Sequence, residues 1–271
     1  MKPAPSFRPP EAPDPLAKAT AEKILSIRRW SDKLLSLQVT RSPTFRFAPG
    51  QWVRLGIASG GKLGGVIWRP YSMVNADYDE TLEFFSILLP DGAFTRRLAQ
   101  AQVGDTLYVE KQAYGYLTTG RLTGGRDLWL LASGTGIAPF ISILRDPAVW
   151  TQYQHRVLAY SVRVASDLTY LKEIDSLAID ELLGNRQHPL QFIPIVTREP
   201  APGALQARLP ELIANGELER AASLPLTPEH SRLLICGNPQ MLDDVRDALT
   251  ARGLSSDRSS QPGQFATENY W

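Results

Sequence analysis

The sequence predicts two joined domains: an antiparallel β-barrel, then an α/β unit with a Rossmann-like parallel sheet. Three observations carry that expectation. Residues from Ile24 to about Leu117 read as short strands separated by turns. From Asp127 onward strands and helices alternate, and a glycine-rich run from Gly120 to Gly125 separates the two patterns. The chain's 271 residues suffice for two cores of ordinary size. The expected division is a proline-rich arm over 1–20, the barrel over 21–122 and the α/β domain over 123–271.

In the first half, Leu35, Leu37 and Val39 alternate with polar neighbours, as do Val53, Leu55 and Ile57 after Gly50. The apolar run Leu82–Leu89 closes on Pro90-Asp91-Gly92, a turn signal, and Gly104-Asp105 makes another before Leu107 and Val109. A short helix is expected over about Thr95–Ala101, with Thr95 as its cap. Many turns with little helix favour an antiparallel barrel.

In the second half, Leu128–Ala132, Val157–Val162, Phe192–Val196 and Leu233–Cys236 are four candidate strands. A helix around Ile137–Leu144 follows the first. Ser166 or Asp167 is expected to cap a helix containing Leu168, Leu171, Ile174 and Asp175. The last helix has Asn238 as N-cap, Pro239 as first helical residue and Gly253 as stop, with Met241, Leu242, Val245, Ala248 and Leu249 on one face. Such βα repetition implies a parallel sheet with right-handed crossovers.

Composition removes several classes. A formal net charge of +1 gives no global attraction to nucleic acid or an anionic membrane. No apolar run approaches the ~20 residues of a membrane span. The first twenty residues carry six prolines (3, 5, 9, 10, 13 and 15) and no signal-peptide core, so the expected location is cytoplasmic. The single cysteine, Cys236, leaves no internal disulfide and no cysteine-ligated zinc or iron–sulfur site; no metal is expected.

Two motifs carry chemistry. Arg69-Pro70-Tyr71-Ser72, at a strand end, offers a guanidinium for a pyrophosphate, a ring to stack on a flat heterocycle and a hydroxyl for a polar ring edge. Alternation puts Arg69 and Tyr71 on one face and Ser72 on the other. Gly134-Thr135-Gly136 bends from a strand into a helix, where a dinucleotide pyrophosphate can approach the backbone, although Pro139 replaces the third glycine of the usual fingerprint. Together they suggest a flavin in the front half, a dinucleotide in the back half, and hydride transfer. Ordinary turns and packed aromatics fit each motif taken alone.

Other residues add to the pattern. Arg163, Arg198 and Arg208 follow the second and third strands, where converging arginines would favour a 2′-phosphate; no acid stands at the end of the second strand. Free backbone N–H groups near Thr95 would suit a phosphate. Cys236 is either a small buried residue or a contact for a nicotinamide. The closing Tyr270-Trp271 suggests a docked end, by stacking on a ligand or by core packing.

RPYS, PDGAFT, GTGIAPF, CGNPQM and the terminal Tyr-Trp stand in the order found in bacterial FAD-containing ferredoxin/flavodoxin–NADP(+) reductases, which this chain resembles over roughly residues 22–271. The resemblance implies FAD on the barrel, NADP(H) on the parallel sheet, and hydride transfer from NADPH to FAD followed by single electrons to ferredoxin or flavodoxin. It implies that Arg69 contacts the FAD pyrophosphate, Tyr71 stacks on the isoalloxazine and Ser72 lies near its N5. Phe85, Ile87, Phe94 and Thr95 would border the FAD, with Pro70 in the same run, and Thr135 would lie between the cofactors. Gly134, Arg163, Thr197, Arg198 and Arg208 would hold the NADP phosphates, and Gly237, Asn238 and Pro239 the nicotinamide side. Trp271 would stack on the adenine, Tyr270 would shield the flavin, and Cys236 would place the nicotinamide. Tyr71, Ser72, Cys236 and Tyr270 would thus stand nearest the chemistry, none as a covalent nucleophile.

The implied protein is a monomer that meets an acidic carrier transiently, with Arg96, Arg97, Arg121 and Arg126 as candidates for a basic rim. An NADPH-dependent flavin or ferric reductase, or a general diaphorase, is the alternative enzyme; the closing aromatics argue for retained FAD. An oxygenase reductase with its own iron–sulfur module is excluded by the cysteine count. A colourless protein binding NADP without turnover is the remaining, non-enzymatic reading.

Overall fold

A computed structural model describes residues 16–60, 65–179, 183, 188–258 and 261–269. Six antiparallel strands make the first half: β1 (Ala19–Arg29), β2 (Leu34–Thr40), β3 (Trp52–Ala58), β4 (Val66–Ser72), β5 (Thr81–Ile87) and β6 (Thr106–Glu110), in the order β4-β3-β6-β1-β2-β5. Met73, just past β4, bridges Phe84 of β5 and closes this sheet into a barrel. Closure removes the exposed edges that an open sheet would present. Residues 35, 37, 39, 53, 55, 107 and 109 point into its core, as a period of two requires. β1 pairs with β6 through Ala19–Lys23, then, across a bulge at Ile24–Ser26, with β2, so one long strand turns the barrel's corner.

Five parallel strands make the second half: β7 (Asp127–Ser133), β8 (His155–Val162), β9 (Gln191–Val196), β10 (Ser231–Cys236) and β11 (Phe265–Glu268), in the order β11-β10-β7-β8-β9. The order reverses at β7, which lies between β8 and β10; open parallel sheets bind ligands at the carboxyl side of such a point. Among the described residues seven helices accompany the strands: α1 (Ala93–Leu98) in the first half, then α2 (Ala138–Leu144), α3 (Pro147–Gln152), α4 (Leu171–Ile179), α5 (Leu209–Ala214), α6 (Glu217–Ala222) and α7 (Pro239–Ala251). One face of the parallel sheet buries Leu130, Ala132, Ile137, Phe140 and Tyr160 in an apolar layer that also takes in Leu34, Val74 and Phe85 from the barrel side. The other face packs Leu212, Ile213, Val245 and Leu249.

α7 forms as its sequence demands. Asn238 Oδ1 accepts from the Met241 amide at 2.9 Å, Pro239 opens the helix, and Gly253 follows its end at φ +82°. Elsewhere the structure corrects the sequence reading. A fifth strand, β11, extends the four-stranded sheet; its four residues were too short to show a periodicity. The short helix in the first half is Ala93–Leu98, with Gly92 as N-cap, so Thr95 lies inside it. Residues 165–167 form a 3-10 turn and α4 starts at Leu171, which leaves Leu168 outside the helix. Tyr170, at φ +60°, breaks the backbone between the two.

Candidate functional site

A cavity of about 480 Å³ opens at the carboxyl edge of the parallel sheet. Ser133, Val162, Thr197 and Asn238, at or just past the ends of β7, β8, β9 and β10, supply its floor, while Lys33, Leu34, Phe85, Ile87 and Leu89 wall it from the barrel side. Gly134 and Thr135 enter it from the bend after β7. Gly134 stands at φ +56° with no atom within 4 Å of where a Cβ would project, so its backbone is open to a ligand. Gly136 serves packing instead: a Cβ there would lie 2.3 Å from the Cys236 carbonyl oxygen.

Arg163, Arg198 and Arg208 line the same cavity, and all three are exposed. The loops carrying the first two are tied together by Thr197 N–H to Val162 O (3.0 Å) and Arg198 N–H to Arg163 O (2.9 Å). Among the described residues no carboxylate pairs with any of the three guanidinium groups. Three uncompensated cations at one mouth suit a phosphate. Sequence reasoning missed an acid here: Asp167, in the turn beyond β8, also lines the cavity, paired with Lys33 at 3.0 Å. Its position depends on the reversal of the chain after Val162, which no periodicity records.

The Arg69–Ser72 run occupies the end of β4, away from that cavity. Arg69 is exposed, and its guanidinium donates to the Trp68 carbonyl at 2.7 Å. The Tyr71 ring lies 5.5 Å from that of Phe94 and edge-on to Phe84 at 6.4 Å, and its hydroxyl shares a 2.8 Å hydrogen bond with Ser86. Burial pushes the Tyr71 phenol up to about 12, against the opposing pull of Ser86 and Arg69, so it stays neutral. Ser72 faces the other way, and its buried Oγ has no hydrogen-bond partner among the described residues. An unpartnered buried hydroxyl is costly inside a protein, and one at this place fits the polar edge of a flavin. Strand β5 links the two regions, with Phe84 and Ser86 toward Tyr71 and Phe85 and Ile87 toward the cavity.

The remaining candidates separate. The Thr95 hydroxyl, nearly buried, donates to the Leu89 carbonyl at 2.9 Å and braces the preceding turn, while the Phe94 ring is buried in the barrel core. Cys236 is fully buried in the layer shared by both halves and does not line the cavity. Gly237 is buried with Met241 and Ser133 around it, and Pro239 is exposed at the start of α7. Pro70 pairs with Arg54 in the β3–β4 register. Tyr270 and Trp271 lie outside the described residues. Glu268, the last residue of β11, accepts from Trp52 Nε1 at 2.9 Å, and Trp52 stands opposite Ser72 in the β3–β4 register. Strand β11 therefore ends against Trp52. Of the expected basic rim, Arg121 is paired with Asp257 and Arg126 with Asp127, while Arg96 is exposed.

Comparison with known proteins agrees with this architecture. Residues 130–247 match the model of the oxidoreductase NAD-binding domain. The chain is 42% identical over 252 residues to ferredoxin–NADP reductase A of Sorangium cellulosum, covering 92% of this chain and 89% of that protein. It is 35% identical to the flavodoxin/ferredoxin–NADP reductase of Escherichia coli K12, covering 92% and 97%. A ferredoxin NADP+ reductase from Neisseria gonorrhoeae, solved with bound FAD and NADP, superposes with a TM-score of 0.87 at 38% identity, covering 94% of this chain and all of that one.

Proposed function

The chain belongs to the bacterial ferredoxin–NADP reductase family, and from that premise we propose how its residues serve the reaction. It is an FAD- and NADP-dependent oxidoreductase that exchanges electrons between NADP(H) and a ferredoxin or flavodoxin. FAD, when bound, supplies the chemistry that joins two-electron exchange with a nicotinamide to one-electron exchange with a carrier. The observation that carries the reading is the cavity walled by Phe85 and Ile87 on one side, by Gly134 and Thr135 on the other, and rimmed by three arginines that pair with no carboxylate among the described residues.

Arg69 holds the FAD pyrophosphate, Tyr71 packs against the isoalloxazine, and Ser72 offers its unpartnered Oγ to the ring's polar edge. Pro70, Phe85, Ile87, Phe94 and Thr95 shape that seat. Arg163, Arg198 and Arg208, with Thr197, hold the adenosine phosphates of NADP, and Gly134 admits the pyrophosphate to the backbone. Thr135 stands between the two groups; Gly237, Asn238 and Pro239 border the nicotinamide, with Cys236 beneath. The approach of β11 to Trp52 supports a tail that reaches the flavin, with Tyr270 as shield and Trp271 on the adenine. Bringing the two rings together across β5 would give the transfer its orientation.

The finer parts of the reading follow the same logic. The barrel, which begins with β1 at Ala19 and so takes in the end of the expected 1–20 arm, ends near 122, and the nucleotide-binding half begins near 123. The protein acts as a cytoplasmic monomer and meets its acidic carrier transiently through charge. Among the described residues no helix is long and apolar enough to cross a membrane. Anaerobic titration with NADPH and with NADH, followed by flavin absorbance, tests the assignment, with oxidised ferredoxin and flavodoxin added afterwards. Bleaching by NADPH and recovery on adding carrier is the expected result. A protein that binds no flavin, or whose flavin NADPH leaves oxidised, would overturn it.

A further inference from the structure

We infer that Lys33 sets the preference for a 2′-phosphorylated nucleotide by masking the charge of Asp167. This rests on the coenzyme reading above. Nucleotide-binding parallel sheets commonly use an acid beyond the second strand to accept ribose hydroxyls, and the same acid repels a 2′-phosphate. Asp167 occupies that part of this fold, in the turn after β8, and lines the cavity together with Arg163, Arg198 and Arg208. It is 9% exposed; one carboxylate oxygen lies 3.0 Å from Lys33 Nζ, and the other, Oδ1, has no hydrogen-bond partner among the described residues. Left alone, this buried charge would act on any phosphate in the cavity.

Lys33 comes from the opposite wall. Its backbone carbonyl accepts from Leu88 N–H at 2.7 Å and its neighbour Leu34 is buried, so the barrel anchors the backbone from which the side chain reaches Asp167. The α7 side chain Asp244 also borders the cavity, so acids occur on two of its elements and Lys33 answers the more buried one. The pair leaves the three arginines to dominate the field at the mouth. Lys33 is thus a positioning residue for charge: it acts through Asp167 and need not touch the nucleotide.

The test is calorimetric binding of adenosine 2′,5′-bisphosphate and of 5′-AMP to the flavin-loaded protein. The ratio of their dissociation constants measures discrimination by the 2′-phosphate alone. Lys33→Met should lower that preference about tenfold, and Lys33→Arg should keep it. Adding Asp167→Asn to Lys33→Met should restore it to within about twofold of the parent, because no charge is left to mask. An unchanged ratio in Lys33→Met would overturn the inference, as would a double variant no better than the single one, which would mean that Lys33 binds the phosphate directly. Lys33→Gln serves the same comparison should the Met variant not fold. A parent that binds both ligands equally would overturn the coenzyme reading and this inference with it; a parent that discriminates, with Lys33→Met indistinguishable from it, would overturn this inference alone.

Discussion

The Tyr170 hydroxyl donates a 2.8 Å hydrogen bond to Glu83 Oε1, joining the entry to α4 with β5 of the barrel. The tyrosine is 1% exposed and sits at φ +60°, a conformation costing about 1–3 kcal/mol for a bulky residue. Its ring, 4.7 Å from Trp30 and edge-on to Phe85 at 5.3 Å, explains why the strain is tolerated. Phe85 walls the cavity, so Tyr170 supports that wall from behind.

Tyr170→Phe should therefore destabilise the protein by about 1–3 kcal/mol, since the half-buried Glu83 loses its donor while ring packing is kept. Urea denaturation measures this. A variant as stable as the parent would mean the hydroxyl contributes nothing across the junction.

Burial, more than any charge, holds the Glu83 carboxyl above its usual range, with the Tyr170 bond and Arg145 partly offsetting it. The folded state thus keeps this proton more tightly than the unfolded chain. Its contribution to stability is full below the ordinary glutamate value and is lost as pH rises through the raised one. Stability of the parent minus that of Glu83→Gln should fall as pH rises above the ordinary glutamate value of about 4.3. A difference that is flat or that rises across this window would contradict the assignment.

Arg198→Ala combined with Arg208→Ala should raise the KM for NADPH by about ten- to a hundredfold while changing that for NADH little. Steady-state kinetics with both coenzymes decide it. Equal losses would place the two arginines on a part the coenzymes share.

Ser72→Ala deletes a buried hydroxyl that has no hydrogen-bond partner among the described residues. In protein stripped of flavin the change should not lower stability, yet stopped-flow reduction by NADPH should slow about tenfold or more. A large stability loss with normal reduction would show that Ser72 serves folding instead.

The two glycines of the bend should behave differently. Gly136→Ala forces a Cβ to within 2.3 Å of the Cys236 carbonyl oxygen and should cost about 3 kcal/mol or more. Gly134→Ala meets no atom within 4 Å and carries only the strain of φ +56°, about 1 kcal/mol, seen as a small drop in Tm. Similar losses at both positions would undo this division of labour.

The sequence reading succeeded where local chemistry decides structure. Asn238, Pro239 and Gly253 bound α7 because capping and proline geometry act within a few residues. The alternation of Val53 and Leu55 located β3 because one face is buried. It failed where neighbours far along the chain decide. Strand β11 exists because β10 offers it an edge, and α4 starts late because Tyr170 is held by Trp30, Phe85 and Glu83. In the site, the arginines after the second and third strands were readable from strand order. Lys33 and Asp167 were not, because they meet only when the barrel and the parallel sheet come together.

Leu34, Val74 and Phe85 are buried in the same apolar layer as Ile137, Phe140 and Cys236. Severing the polypeptide ahead of β7 would leave a greasy scar on either fragment, so neither piece is a self-sufficient module. Grafting a foreign coenzyme unit onto this barrel would require recutting that seam as well as copying the loops.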